Sequence, residues 1–149
     1  MAAPWSAMSD PTKDSANGAA VQASTDRASS GSRSLKVNLQ AVIGASYAEV
    51  GTQFCPAGFD SYNYVLNFDL YSPTYTGWVV AMAWNASTGQ WASVPSLYLT
   101  AGTWQTYNAT FGTDNYGAHV NTTNIGIYVS SDGSAITGTV YIDNIYLSH

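Results

Sequence analysis

One glutamate, Glu49, and eight aspartates are the only acids in this 149-residue chain, and most of the aspartates fall in segments that read as loops. Two positioned carboxylates, one with a raised pKa, are the usual requirement for glycoside hydrolysis. Glu49 with Asp69 is the one pair to consider. The two histidines offer little more. His119 sits in a loop-like stretch, His149 is the last residue, and no Gly-X-Ser-X-Gly elbow accompanies either. His and Cys do not cluster at zinc-ligand spacings. The single cysteine, Cys55, has no partner for an internal disulfide. Its surroundings, Phe54-Cys55-Pro56-Ala57-Gly58, hold no cation that would lower its pKa, so it reads as a small buried apolar residue.

Aromatic side chains are the chemistry that is plentiful. Eleven Tyr, five Trp and four Phe make 13% of the chain, while charged residues make 9%. A chain so rich in aromatic and apolar residues (46% hydrophobic) is not a disordered composition. The net charge of −5, with four Lys and Arg in all, leaves no basic patch to neutralise phosphates or anionic lipid. Nucleic acid and membrane surfaces are therefore not expected partners. No apolar run approaches the length that spans a bilayer. The stretch after Met1 lacks the basic start and apolar core of a signal peptide, so the chain reads as a domain cut from a longer one. Sequons stand at Asn85, Asn108 and Asn121.

The elements that must position these aromatics are strands. Residues 1–17 are polar and turn-rich, with Trp5 expected to pack against the domain; 18–149 read as a β-sandwich. Nine strand-like segments follow one another: 19–24, 34–40, 47–54, 63–71, 78–85, 90–99, 104–111, 124–130 and 139–147. No window carries a helical apolar period. Alternation is clean in several. Leu35, Val37 and Leu39 share one face, as do Leu66, Phe68 and Leu70, and Ile125, Ile127 and Val129. One apolar and one polar face per strand predicts an all-β, antiparallel, two-sheet sandwich. In the last segment Val140 and Ile142 have one parity and Ile145 and Leu147 the other, which predicts a β-bulge at Asp143-Asn144.

The run from Ser24 to Val37 (STDRASSGSRSLKV), Gly102-Thr103-Trp104, and the run from Val140 to Leu147 (VYIDNIYL) together resemble the jelly-roll carbohydrate-binding modules appended to secreted glycoside hydrolases, such as those of families 4, 22 and 27. The resemblance implies a jelly roll with a concave ligand face, secretion, attachment to a larger glycoside hydrolase, and a monomer without catalytic activity of its own. It also implies a structural calcium ion at Asp143, completed by Asp26 and Ser24 of the first loop. The acidic opening such modules carry is missing here; only Asp10 and Asp14 stand near it.

Sugar rings stack their C–H patches on aromatic faces and direct their hydroxyls to planar polar groups. In jelly-roll order, the segments 47–54, 124–130, 78–85 and 90–99 share one sheet. Its expected ligand face carries Tyr47, Glu49, Gln53 and Tyr128. Both faces of the 78–85 segment are apolar. If Val79, Ala81 and Ala83 are the core set, Trp78, Met82 and Trp84 point to the ligand, and Trp91 extends the platform after the Thr88-Gly89 turn. The opposite sheet, with Lys36, Asn38, Gln40, Asn67, Asp69 and Tyr71, reads as an ordinary solvated face. The expected ligand is a neutral plant cell-wall polysaccharide, a β-glucan or cellulosic chain or a β-mannan. Two other readings stand beside it: a structural or adhesive sandwich that binds no sugar, and a small polysaccharide-degrading enzyme.

Overall fold

The computed structural model describes residues 6–7, 20–40, 47–52, 59–130 and 137–149. Side chains are described from 22 to 39, from 59 to 127, at Val129, and from 138 onward. The strands are β1 (Ser6–Ala7), β2 (Ala20–Ser24), β3 (Ser34–Gln40), β4 (Tyr47–Thr52), β5 (Phe59–Asp60), β6 (Val65–Tyr71), β7 (Gly77–Trp84), β8 (Ser96–Leu99), β9 (Gln105–Thr110), β10 (Asn121–Thr122), β11 (Asn124–Ser130) and β12 (Thr137–Ser148). None of the described residues is helical.

Alternating apolar residues give each long strand one face to bury, and two such faces cover each other. One five-stranded sheet has the order β1-β4-β11-β7-β8 and the other β2-β3-β12-β6-β9; β5 and β10 form a separate two-stranded ribbon. Every pairing is antiparallel. This is the jelly-roll order expected from the sequence. Val37, Leu66, Phe68, Leu70, Val140 and Ile142 from one sheet meet Val79, Ala81, Ala83, Leu99, Ile125 and Ile127 from the other in a single buried core. The small residues Ala81 and Ala83 are fully buried on β7, which settles that strand's ambiguous parity in favour of Val79, Ala81 and Ala83 facing inward.

The bulge stands where the alternation slips. Along the β12–β6 pairing, Asp143 faces Asp69 but Tyr146 faces Asn67, so β12 holds one extra residue there. Asn144 absorbs the irregularity at φ 50°, a left-handed conformation that Asn tolerates better than most residues.

One segment is much shorter than the sequence predicts. The 90–99 segment forms a strand only over Ser96–Leu99, with Trp91 joined to Trp84 by one isolated bridge. Pro95, which has no N–H to donate, sits just before the strand starts. The 47–54 segment is a strand over Tyr47–Thr52, and residues 53 and 54 lie outside the described residues.

Candidate functional site

On β7, residues of even number lie opposite the core. Trp78 at one end is 48% exposed, and its ring meets Tyr98 of β8 edge-on, with centroids 5.1 Å apart. Tyr98 is itself 49% exposed. The Tyr75 hydroxyl donates to the Trp78 carbonyl at 3.1 Å and braces the strand's start. At the other end Trp84 is only 8% exposed, because Trp91 stacks on it at 5.2 Å and 12°. Trp91 is the half that remains open, at 50%.

Local chemistry explains that stack. Asn85 Oδ1 accepts the N–H groups of Ser87 (2.9 Å) and Thr88 (3.1 Å), which closes a tight turn. Gly89 completes it at φ 70°. The Asn85 N–H then donates to Gln90 O and the Ala92 N–H to Ala83 O, both at 2.9 Å, and lay Trp91 back over β7. Two aromatic platforms result, six residues apart on one strand, or about 20 Å.

Cross-strand register adds to the first platform. Tyr98, Trp78, Ser130 and Tyr47 form one row across β8, β7, β11 and β4, and Val80, Tyr128 and Glu49 form the next. The backbone therefore brings Tyr47, Glu49 and Tyr128 to the same stretch of sheet as Trp78, although their side chains lie outside the described residues. Gln53 lies outside them altogether.

Two of the expected ligand-facing residues are corrected. Trp84 does not present an open ring, because Trp91 covers it; it is the support of the platform rather than its surface. Met82 is buried as well. Tyr98, in turn, was missed. Its signal lay in the alternation Leu97-Tyr98-Leu99, hidden by an overlong strand assignment.

The opposite sheet is not an ordinary solvated face. Asn67, Asp69 and Tyr71 are all buried. Arg27 lies over the Tyr71 ring at 4.7 Å and Lys36 near Tyr141 at 5.9 Å, while Trp104 packs on Tyr71 at 5.5 Å. Around Asp69, the hydroxyl of Ser29 donates to Oδ2, Asn144 Nδ2 donates to the same oxygen at 2.6 Å, and Thr106 Oγ1 donates to Oδ1 at 2.6 Å. Burial pushes this carboxyl's pKa up, but the three donors outweigh it and hold the group below the usual carboxylate range.

Among the described residues, the oxygens expected to hold calcium are engaged by other partners. Asp143 Oδ2 accepts the backbone N–H groups of Ser29 (2.9 Å) and Ser30 (3.1 Å), and Oδ1 accepts the N–H of Asn144 (2.8 Å). Asp26 is held by the Lys36 ammonium at 2.7 Å, and Ser24 Oγ accepts the Asp26 N–H at 3.1 Å. N–H donors and an ammonium face these oxygens, where calcium would need a convergent cage of six to eight free ones. Among the described residues no three His, Cys, Asp or Glu side chains converge. The loop is fastened to the bulge by hydrogen bonds instead. A chelator is accordingly expected to leave the melting temperature unchanged, while Asp143→Ala lowers it by freeing Ser29 and Ser30. A drop on chelation, reversed by calcium, would show that the ion is held after all.

No arrangement for catalysis is assembled among the described residues. Glu49 and Asp69 belong to different sheets. His119 Nδ1 lies 2.8 Å from Asp60 Oδ2, with Tyr62 stacked on the imidazole at 4.0 Å. The neighbouring Ser61 hydroxyl is buried, and its side-chain partner is the Thr122 hydroxyl (2.7 Å) and not the His119 imidazole, so no nucleophile–base pair is seen there.

No protein-family model matches the chain, and no curated protein matches it by sequence. Solved structures do match in fold. An exo-β-agarase superposes with a TM-score of 0.64 and 14% identity over 99% of this chain. The CBM22-1 xylan-binding domain from Paenibacillus barcinonensis Xyn10C gives 0.66 and 10% over 96%, and covers 83% of that domain. The CBM27-1 module of Caldicellulosiruptor saccharolyticus in complex with mannohexaose gives 0.55 and 15% over 84%, with 80% of the module covered. The chain spans 23% of the agarase chain. At these identities the likeness is one of fold alone: a two-sheet antiparallel jelly roll.

Proposed function

We propose that this chain is a non-catalytic carbohydrate-binding module. It binds a neutral plant cell-wall polysaccharide, a β-glucan or β-mannan chain, and directs an attached, secreted glycoside hydrolase to its substrate. The observation that carries the reading is the pair of half-exposed aromatic platforms, Trp78 with Tyr98 and Trp91 on Trp84, on one sheet face. Exposed large aromatics grouped on one face mark a recognition surface more than a solvation accident. Their spacing of about 20 Å suits several linked rings better than a single sugar. The net charge of −5 works against an acidic polymer.

Neighbours of the same fold include a xylan-binding domain and a module bound to mannohexaose, which makes linear plant polysaccharides the class to test. Affinity electrophoresis through gels containing β-glucan, glucomannan, galactomannan, xyloglucan or xylan should retard the protein in at least one glucan or mannan gel. Unchanged mobility in all of them, with no pull-down on cellulose, would leave the structural or adhesive sandwich as the better reading.

A further inference from the structure

A second surface, on the sheet opposite the tryptophans, has the makings of a small polar binding site. A cavity of about 420 Å³ opens over β6, between the bulge of β12 and the edge strand β9, and Asn67, Asp69, Thr106, Asn144 and Tyr146 help line it. That volume lies within the range of small-ligand pockets. Tyr146 stands at its rim with 58% of its surface exposed.

The polar atoms of the cavity are matched to hydroxyl donors. Asn67 is buried, and its Nδ2 donates to Val65 O (3.1 Å) and Ser148 Oγ (2.9 Å). Its Oδ1 receives no hydrogen bond among the described residues. Asp69 Oδ2 already accepts two donors, whereas Oδ1 accepts only Thr106 Oγ1 and keeps a lone pair. Thr106 Oγ1 has given its proton to Asp69, so it too can accept. The three residues that carry these acceptors line one cavity beside one open aromatic ring. Among the described residues, no lysine or arginine lines the cavity. An anion would meet the Asp69 carboxylate unscreened, and a purely apolar ligand would strand Asn67 Oδ1.

We propose that this cavity is a second saccharide site, independent of the tryptophan face, that takes one neutral sugar residue. One ring face lies on Tyr146, and neighbouring hydroxyls donate to Asn67 Oδ1, Asp69 Oδ1 and Thr106 Oγ1. A single sugar in so open a site should bind with a dissociation constant on the order of 1–10 mM.

The test removes the tryptophan face first. The Trp78→Ala/Trp91→Ala double variant, labelled with ¹⁵N, is titrated with glucose, mannose and xylose and with their β-1,4 disaccharides. At least one sugar should produce saturable amide shifts at Asn67, Thr106, Asn144 and Tyr146. Adding Tyr146→Ala should weaken that binding about tenfold or more. Tyr146→Leu, which keeps an apolar side chain but no flat face, should weaken it similarly and guards against a folding defect in the alanine variant. The proposal is overturned if no sugar shifts these amides up to about 100 mM, or if both Tyr146 variants bind as the parent does. Because the tryptophans are already removed, this outcome is separate from whether they bind polysaccharide.

Discussion

Trp78→Ala and Trp91→Ala should each leave a folded protein that has lost most of its affinity for the polysaccharide retained in the gel assay. Half of each ring is already in water, so truncation opens no core cavity, and stability should change by about 1 kcal/mol or less. Binding is different, because a sugar ring laid on an indole removes that open half from solvent. Aromatic anchors of this kind cost roughly 2–4 kcal/mol on truncation, a loss of about 30- to 1,000-fold. Tyr98→Ala should act in the same direction as Trp78→Ala and less than additively with it, since the two rings touch. Trp84→Ala is the contrasting case. Its ring is buried beneath Trp91, so its removal should cost about 3–5 kcal/mol of stability and weaken binding only by unseating Trp91. Calorimetric titration with oligosaccharides, beside thermal melts of each variant, separates the two patterns. Wild-type affinity in folded Trp78→Ala and Trp91→Ala would remove this face as the binding site.

That contrast also marks how far the sequence could be read. Period-2 alternation is a local property, and it placed Leu66, Phe68 and Leu70, and Ile125, Ile127 and Val129, inward without any knowledge of their partners. A change of parity is local too, so the extra residue at Asp143-Asn144 was visible before the β6 register showed it. Which ring remains open is not a local property. Trp84 and Trp91 have the same chemistry, and only the Asn85–Gly89 turn decides that one covers the other. Tyr98 was hidden because Pro95 shortens the strand that carries it. The opposite sheet misled for a related reason. Asn67 and Asp69 alternate outward as polar residues should, but the 25–33 loop reaches Asp69 through Ser29 while Asn67 is bound by Ser148 at the end of β12, and nothing in β6 itself records either visit.

Asp69→Ala should be the most damaging polar substitution on that sheet. It strips the acceptor from the Ser29 hydroxyl, the Thr106 hydroxyl and Asn144 Nδ2 at once, and unfastens the loop from the bulge. Buried donors left without acceptors cost about 1–3 kcal/mol apiece when water cannot reach them. The adjoining cavity lets water reach some, so a net loss of about 2–4 kcal/mol is expected at pH 7, or a melting point lower by roughly 5–15 °C. Asp69→Asn keeps one acceptor and the shape, and should lose less. The pH dependence has a definite sign. Because the folded state holds Asp69 below the ordinary aspartate value of 3.8, the charge-dependent part of its contribution is fully present above that value. It fades as pH falls through the still lower folded pKa. The gap between wild type and Asp69→Asn should therefore be constant from about pH 7 to 5 and close below about pH 4. Asp26, Asp60 and Asp114 are shifted in the same direction, Asp26 by Lys36, Asp60 first by the Tyr62 N–H, and Asp114 first by the Ala118 N–H. All variants should lose stability in acid, and only the Asp69 difference reports on the latch. Urea midpoints at pH 7, 5, 4 and 3 would measure it. A gap that persists unchanged at pH 3, or an Asp69→Ala variant as stable as wild type at pH 7, would mean that the three hydrogen bonds do not hold the loop in place.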